Sequence, residues 1–208
     1  MSRYKFIPMI TLLFISIFST SANDTIFIKV HFLYGSKPKR AFKETEKKWF
    51  GGKLGGHVGI EVEENSIIDF IPYGNVHVFA DKQDYNSKFV IHNTESFWQI
   101  FGSPAASVKQ MSISIPISAK QKRQLDSIVE AYTNETPYDY AFFGMRCGAA
   151  TYDILSQIGI VKEYSHRRTY LKIFYPKKLR NRLTEKASYY NWSVARHEGT
   201  DRRKWERD

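Results

Sequence analysis

The chain has 208 residues, 42% of them hydrophobic and 15% aromatic, enough for one domain with a full core. Its 31 Lys and Arg against 21 Asp and Glu give a formal net charge of +10, which favours anionic partners. A single cysteine, Cys147, excludes an internal disulfide framework.

The first residues carry Arg3 and Lys5, then an apolar run from Phe6 to Phe18, then Thr20-Ser21-Ala22. That order reads as an export signal over 1–22, leaving a domain over 23–208. The run is short for a membrane span, so retention as an anchor is the lesser alternative. The expected location is therefore exported, periplasmic or secreted. Loss of Arg3 and Lys5 leaves 29 Lys and Arg against 21 Asp and Glu, a net charge of +8. Basic residues gather modestly at Lys37–Lys53, Arg167–Lys178 and Arg202–Arg207 without a nucleic-acid motif, so nucleic acid is not an expected partner.

Thr25–Leu33 is rich in β-branched and aromatic residues and predicts a first strand. Gly35–Phe50 is charged, contains Pro38, and reads as a loop or short surface helix. His57–Val62 and Ile67–Ile71 predict strands about the turn-like sequence Glu63-Glu64-Asn65-Ser66. Val76–Phe79 and Met111–Ile117 predict two more, while the aromatic stretch Tyr85–Phe101 shows no clear period. Ser118 and Gln121 have the spacing of a capping box, before an apolar stripe of Leu125, Ile128, Val129 and Tyr132. A second helix opens near Cys147, turns Ala150, Ile154, Leu155 and Ile158 inward, and ends at Gly159. A third starts with Pro176 and carries Leu179 and Leu183 on one face. The charged tail from His197 reads as loosely docked or frayed. Strands first and helices later indicate an α+β domain, an antiparallel sheet packed against helices.

A lone thiol with a candidate base elsewhere is the pattern of a cysteine nucleophile. A small buried hydrophobe is the plainer alternative. Alternation along the first strand of the pair puts Val58, Ile60 and Val62 on one face and His57, Gly59 and Glu61 on the other. A hairpin centred on Glu63 would set His57 directly across from Asp69, with Val58 across from Ile68. Opposed Cβ atoms lie about 4.5–5.5 Å apart, within reach of an imidazole–carboxylate hydrogen bond. Glu61 sits roughly 13 Å from His57 along its own strand, too far to serve. A one-residue slip would move Asp69 to the other face. A helix N-terminus and a histidine would both favour the Cys147 thiolate. His57 would act as base and acid, Asp69 would fix its tautomer, and backbone N–H groups at the helix start would face the oxyanion. Gly148, Ala149 and Ala150 would leave room for the sheet to approach.

"GGHVGIEV", Asp69 twelve residues after the histidine, and "RCGAATYDIL" far downstream together resemble the circularly permuted papain-like cysteine hydrolases. These include the permuted branch of the NlpC amidases and the lecithin retinol acyltransferase-like enzymes. The resemblance covers roughly Gly55 to Gly159. It implies a permuted papain-like fold in which the histidine strand precedes the cysteine helix, and it maps catalytic roles onto His57, Asp69 and Cys147. Many members carry Asn before the cysteine where this chain has Arg146, a change that bears on substrate preference.

His77 has the parity to rival Asp69 as third member. The remaining histidines, His31, His92, His166 and His197, read as structural or surface groups, since none has metal-ligand spacing. Arg146, Tyr138 and Tyr140 are the candidate substrate contacts. Gly51, Gly52, Gly55 and Gly56 lack phosphate-loop order and suit tight turns. Trp49, Trp98, Trp192 and Trp205 read as packing residues. The expected function is an exported cysteine amidase acting on a cell-wall peptide, with no metal and no cofactor. A lipid acyltransferase or phospholipase-like enzyme is second, and a non-catalytic protein binding anionic envelope polymer third. An open polar groove would suit a peptide substrate and an apolar tunnel a lipid.

Overall fold

The structure is a computed structural model that describes residues 25–48, 53, 55–80 and 86–208. The export-signal segment, Trp49, Gly51, Gly52 and Tyr85 lie outside the described residues. The described residues begin with β1 (Ile26–Leu33), β2 (Ser36–Pro38) and a 3₁₀ turn (Arg40–Phe42). They continue through β3 (His57–Glu63), β4 (Ser66–Pro72), β5 (His77–Phe79), β6 (Ser87–His92) and α1 (Thr94–Trp98). Next come β7 (Gln110–Ile117), α2 (Ala119–Asn134), β8 (Ala141–Phe143) and α3 (Cys147–Gln157). The last elements are α4 (His166–Lys172), α5 (Pro176–Tyr190), β9 (Val194–His197) and β10 (Arg203–Trp205).

Six strands form one antiparallel sheet in the order β6-β4-β3-β1-β7-β9. Its apolar face carries Ile28, Val30, Val58, Ile60, Ile68, Phe70, Ile113 and Ile115, all buried. Against it pack α3 through Ala150, Ile154 and Leu155, α2 through Leu125 and Ile128, and α5 through Leu179 and Leu183. The opposite face holds a polar row in which His31 lies 2.9 Å from Glu61 and 2.7 Å from Ser112. α1 covers that row: the Trp98 ring meets His31 edge-on at 5.0 Å, and Phe97 is fully buried. Trp98, Trp192 and Trp205 all pack against the buried clusters. The described residues therefore form a mixed α+β fold with an antiparallel sheet and five helices.

The local signals act as their chemistry requires. Ser118 and Gln121 close a reciprocal capping box on α2, Gly159 ends α3 at φ 77°, and Pro176 opens α5. The aromatic stretch without a clear period contains β6 and α1, the latter capped by Asn93 on the Ser96 N–H. α4 is a further helix that the apolar spacing did not signal. The tail corrects the expectation of fraying. β9 pairs with β7, β10 pairs with β2, and the buried Arg180 guanidinium holds the Glu206 carboxylate at 2.7 Å.

Candidate active site

The register of β3 on β4 differs from the expected one. Asp69 stands across from Gly59, not His57, and Ile60 stands across from Ile68. The turn leaves Glu63 paired with Ser66, with Asn65 at φ 60°, and the register shifts between Glu61 and Glu63. Continued without that shift, the turn's own register would set Asp69 across from Ile60, on the core face. The extra residue, Val62, returns Asp69 to the His57 face. His57 then meets Asp69 diagonally, a separation a long side chain spans. Glycine at position 59 makes this possible, because a Cβ there would lie 2.7 Å from Ile67 Cγ2 and 2.8 Å from Phe97 Cε2.

His57 Nε2 lies 2.5 Å from Asp69 Oδ2. The other carboxylate oxygen, Oδ1, is 2.7 Å from His92 Nδ1. Asp69 is on a strand between two neighbours and reaches a histidine diagonally on each, His57 on β3 and His92 on β6. Its side chain is fully buried. Burial alone would raise its pKa, yet the hydrogen bonds from both histidines hold it below the ordinary aspartate value. Reading His92 as a structural or surface group therefore missed its place behind the His57–Asp69 pair. Its sequence context, a short strand following residues that give no period, carries no signal of it. The rival third member, His77, instead bonds Asp139 at 2.8 Å, and Glu61 is engaged by His31 and by Lys29 at 3.0 Å.

Cys147 opens α3, and its residue is 3% exposed. No side chain caps this helix and its first turn holds no acidic residue, so a thiolate is the anion its free N–H groups meet. Burial pushes the thiol pKa up. The His57 charge and hydrogen bond, the Arg146 charge and the Gly148 N–H together bring it below the ordinary value. Burial likewise pulls His57 down, but the cysteine and Asp69 outweigh it and raise His57 to about 10. Each direction favours the charged form of its group. Cys147 Sγ also lies 3.9 Å from the Gly56 carbonyl oxygen. The room at Gly148 serves α5, not the sheet: a Cβ there would lie 3.1 Å from Pro176 backbone atoms.

Tyr140 is buried and lines the same cavity as Cys147, and burial and the cysteine's charge raise its hydroxyl well above the ordinary pKa. Asn86 clamps the Tyr140 backbone, accepting from its N–H and donating to its carbonyl, each at 3.0 Å. Arg146 lies in an aromatic cage, 3.8 Å above the Phe174 ring and 5.2 Å from Tyr175. Its buried Nη2 has no hydrogen-bond partner among the described residues. The Tyr138 ring packs with Phe70 at 5.3 Å and Phe89 at 5.9 Å, and it is not among the residues lining the cavity that holds Cys147.

Cys147, His57, His92, Tyr140 and Arg146 all line one cavity of about 470 Å³. Most of its remaining wall is apolar, formed by Ile71, Pro72, Val76, Ile100, Phe101 and Phe142. Comparison with protein-family models, with curated proteins and with solved structures finds no match to this chain. The site's chemistry therefore rests on its own geometry. Among the described residues no group of three or more His, Cys, Asp or Glu side chains could hold a metal ion, and no helix is long and apolar enough to cross a membrane.

Proposed function

We propose that the chain is a cysteine acyl hydrolase or acyl-transferring enzyme working through a Cys147 thioester. The observation that carries this is Cys147 at the start of α3 on one cavity wall with His57, which is backed by Asp69 and His92, in an otherwise apolar cavity. The thiolate attacks the acyl carbonyl carbon and forms the C–S bond. His57 gives its proton to the departing amine or alkoxide as the acyl C–N or C–O bond breaks. Water or a second acceptor, deprotonated by His57, then attacks the thioester carbon, breaks the C–S bond, releases the acyl group and leaves the Cys147 thiolate beside protonated His57. In this reading the Gly148 N–H at the helix start and the Tyr140 hydroxyl in the same cavity serve as donors to the developing oxyanion. A permuted papain-like fold is part of the same reading. It is supported by a histidine strand that precedes the cysteine helix and by the packing of α3 on β3 and β4.

The apolar cavity favours an acyl chain, as in a lipid ester or lipid amide, over a cell-wall peptide. Arg146 beside the thiol suits an anionic group on the same substrate. The cell-wall amide fits the catalytic groups equally well and the walls less well. An activated thiol counts against a purely non-catalytic binding protein.

The test compares p-nitrophenyl esters of short and long acyl chains with cell-wall peptide amides, and looks for an acyl adduct on Cys147 by mass spectrometry. Long chains should exceed short ones by at least about tenfold in kcat/KM, since each buried methylene contributes about 0.8 kcal/mol. Cys147→Ser and His57→Ala should stay folded and lose turnover. Activity retained in either contradicts the mechanism, and a preference for the peptide amide contradicts the substrate class.

A further inference from the structure

We infer that the chain has a second binding site, a basic groove along α5 that takes a phosphate-bearing polymer through its phosphates. The groove encloses about 850 Å³ and shares no lining residue with the Cys147 cavity. Lys162, Lys172, Lys178, Arg182 and Lys186 line it, with Glu185 as the carboxylate among the lining residues. None of these five cations forms an ion pair among the described residues. Lys29, Lys109, Lys122, Arg180 and Arg203 elsewhere each hold a carboxylate.

Lys178, Arg182 and Lys186 recur every four residues on α5, so they stand in one row on its surface. Like charges at that spacing repel and weaken the helix, an arrangement an external anion would relieve. The row spans about 12 Å, too long for one phosphate and suited to several spaced along a chain.

Rings in and beside the groove bear on what kind of anionic polymer fits. Tyr152 and Tyr164 stack on each other at 5.8 Å and 4°, with the Arg182 guanidinium 5.7 Å from the first and 6.0 Å from the second. Tyr190 is stacked on Trp192 at 5.5 Å, and the Lys186 ammonium lies 5.3 Å from its centre. Single-stranded nucleic acid binds by laying bases on open ring faces. Tyr152, Tyr164 and Tyr190 each give one face to a protein ring, and Tyr189 and Tyr190 are the exposed rings among the lining residues. Five cations outnumber those two open rings, so charge is the main feature the groove offers.

The test is calorimetric titration of the folded chain with linear inorganic polyphosphate, at several salt concentrations. A variant combining Lys178→Ala, Arg182→Ala and Lys186→Ala is compared with one combining Arg40→Ala, Lys43→Ala and Lys48→Ala, which removes equal charge elsewhere. The groove variant should bind at least about tenfold more weakly, with a salt slope shallower by about two. The control variant should bind as the parent does. Alkylation of Cys147 should be unchanged in both, which keeps this result separate from the catalytic reading. Equal weakening in the two variants would overturn the groove in favour of general charge attraction. Tighter binding of an oligothymidylate than of polyphosphate would overturn the ligand class, and equal affinity for orthophosphate would overturn the polymer.

Discussion

His92 Nδ1 lies 2.7 Å from Asp69 Oδ1, the carboxylate oxygen opposite the one that His57 engages. Asp69 is thereby fixed from two sides, and the His57 ring is fixed through it. His92 is raised above its ordinary pKa chiefly by this hydrogen bond. It acts here as a positioning residue. His92→Ala should lower kcat about tenfold, in the range of other outer-sphere partners, with a smaller change in KM. His92→Gln, which keeps a donor for Asp69, should recover part of the loss. A purely packing role would give no such rescue.

The same groups set the pH range of stability. Asp69 is held below its ordinary value of 3.8, so its contribution is present above that pH and lost as pH falls through the folded value. His57 is raised from 6.5 to about 10, so its contribution is complete below 6.5 and lost as pH rises through about 10. Thermal unfolding followed across pH should show both limbs. Asp69→Asn should flatten the acid limb, and His57→Gln the alkaline one.

Gly59 is the space that lets His57 and Asp69 meet under Phe97, whose ring centre is 5.7 Å from that of His57. Gly59→Ala should destabilise the fold by about 1–3 kcal/mol, the usual cost of overpacking. It should also reduce Cys147 reactivity by moving Phe97 or β4. Urea unfolding and the alkylation rate, measured together, check both effects.

The tail makes a separate contribution. Arg180 and Glu206 form a buried pair, and Glu206 also accepts the Gly35 N–H at 3.2 Å. Glu206→Ala leaves the guanidinium buried and unpaired, and should destabilise by about 3–5 kcal/mol. Replacing both partners with methionine should recover much of that loss. Denaturant midpoints for the single and double variants test the point.

Much of this was legible in the sequence because it depends on short-range chemistry. The capping box at Ser118, Pro176 at the start of α5 and Gly159 after α3 act within a few residues. Alternation together with a hairpin assumed to centre on Glu63 put His57 and Asp69 on one face, and the structure keeps them on one face through a different register. The pairing itself was not legible, since the two-residue turn at Glu64 and Asn65 and the extra residue Val62 together set the register. β6 was missed because its short run has no flanking period, and His92 was missed with it. The charged tail looked loose because a buried ion pair has the same composition as a solvated one. The partner of Glu206 lies 26 residues away on α5.

The central claim is that Cys147 is ionised by His57, and iodoacetamide alkylation measured against pH tests it most directly. The account predicts reaction persisting well below the free-thiol pKa of about 8.5 in the parent chain, and a return to ordinary thiol behaviour in His57→Ala. Slow reaction that tracks an unperturbed or raised thiol pKa, and that is indifferent to His57, would contradict it and leave Cys147 as a core residue.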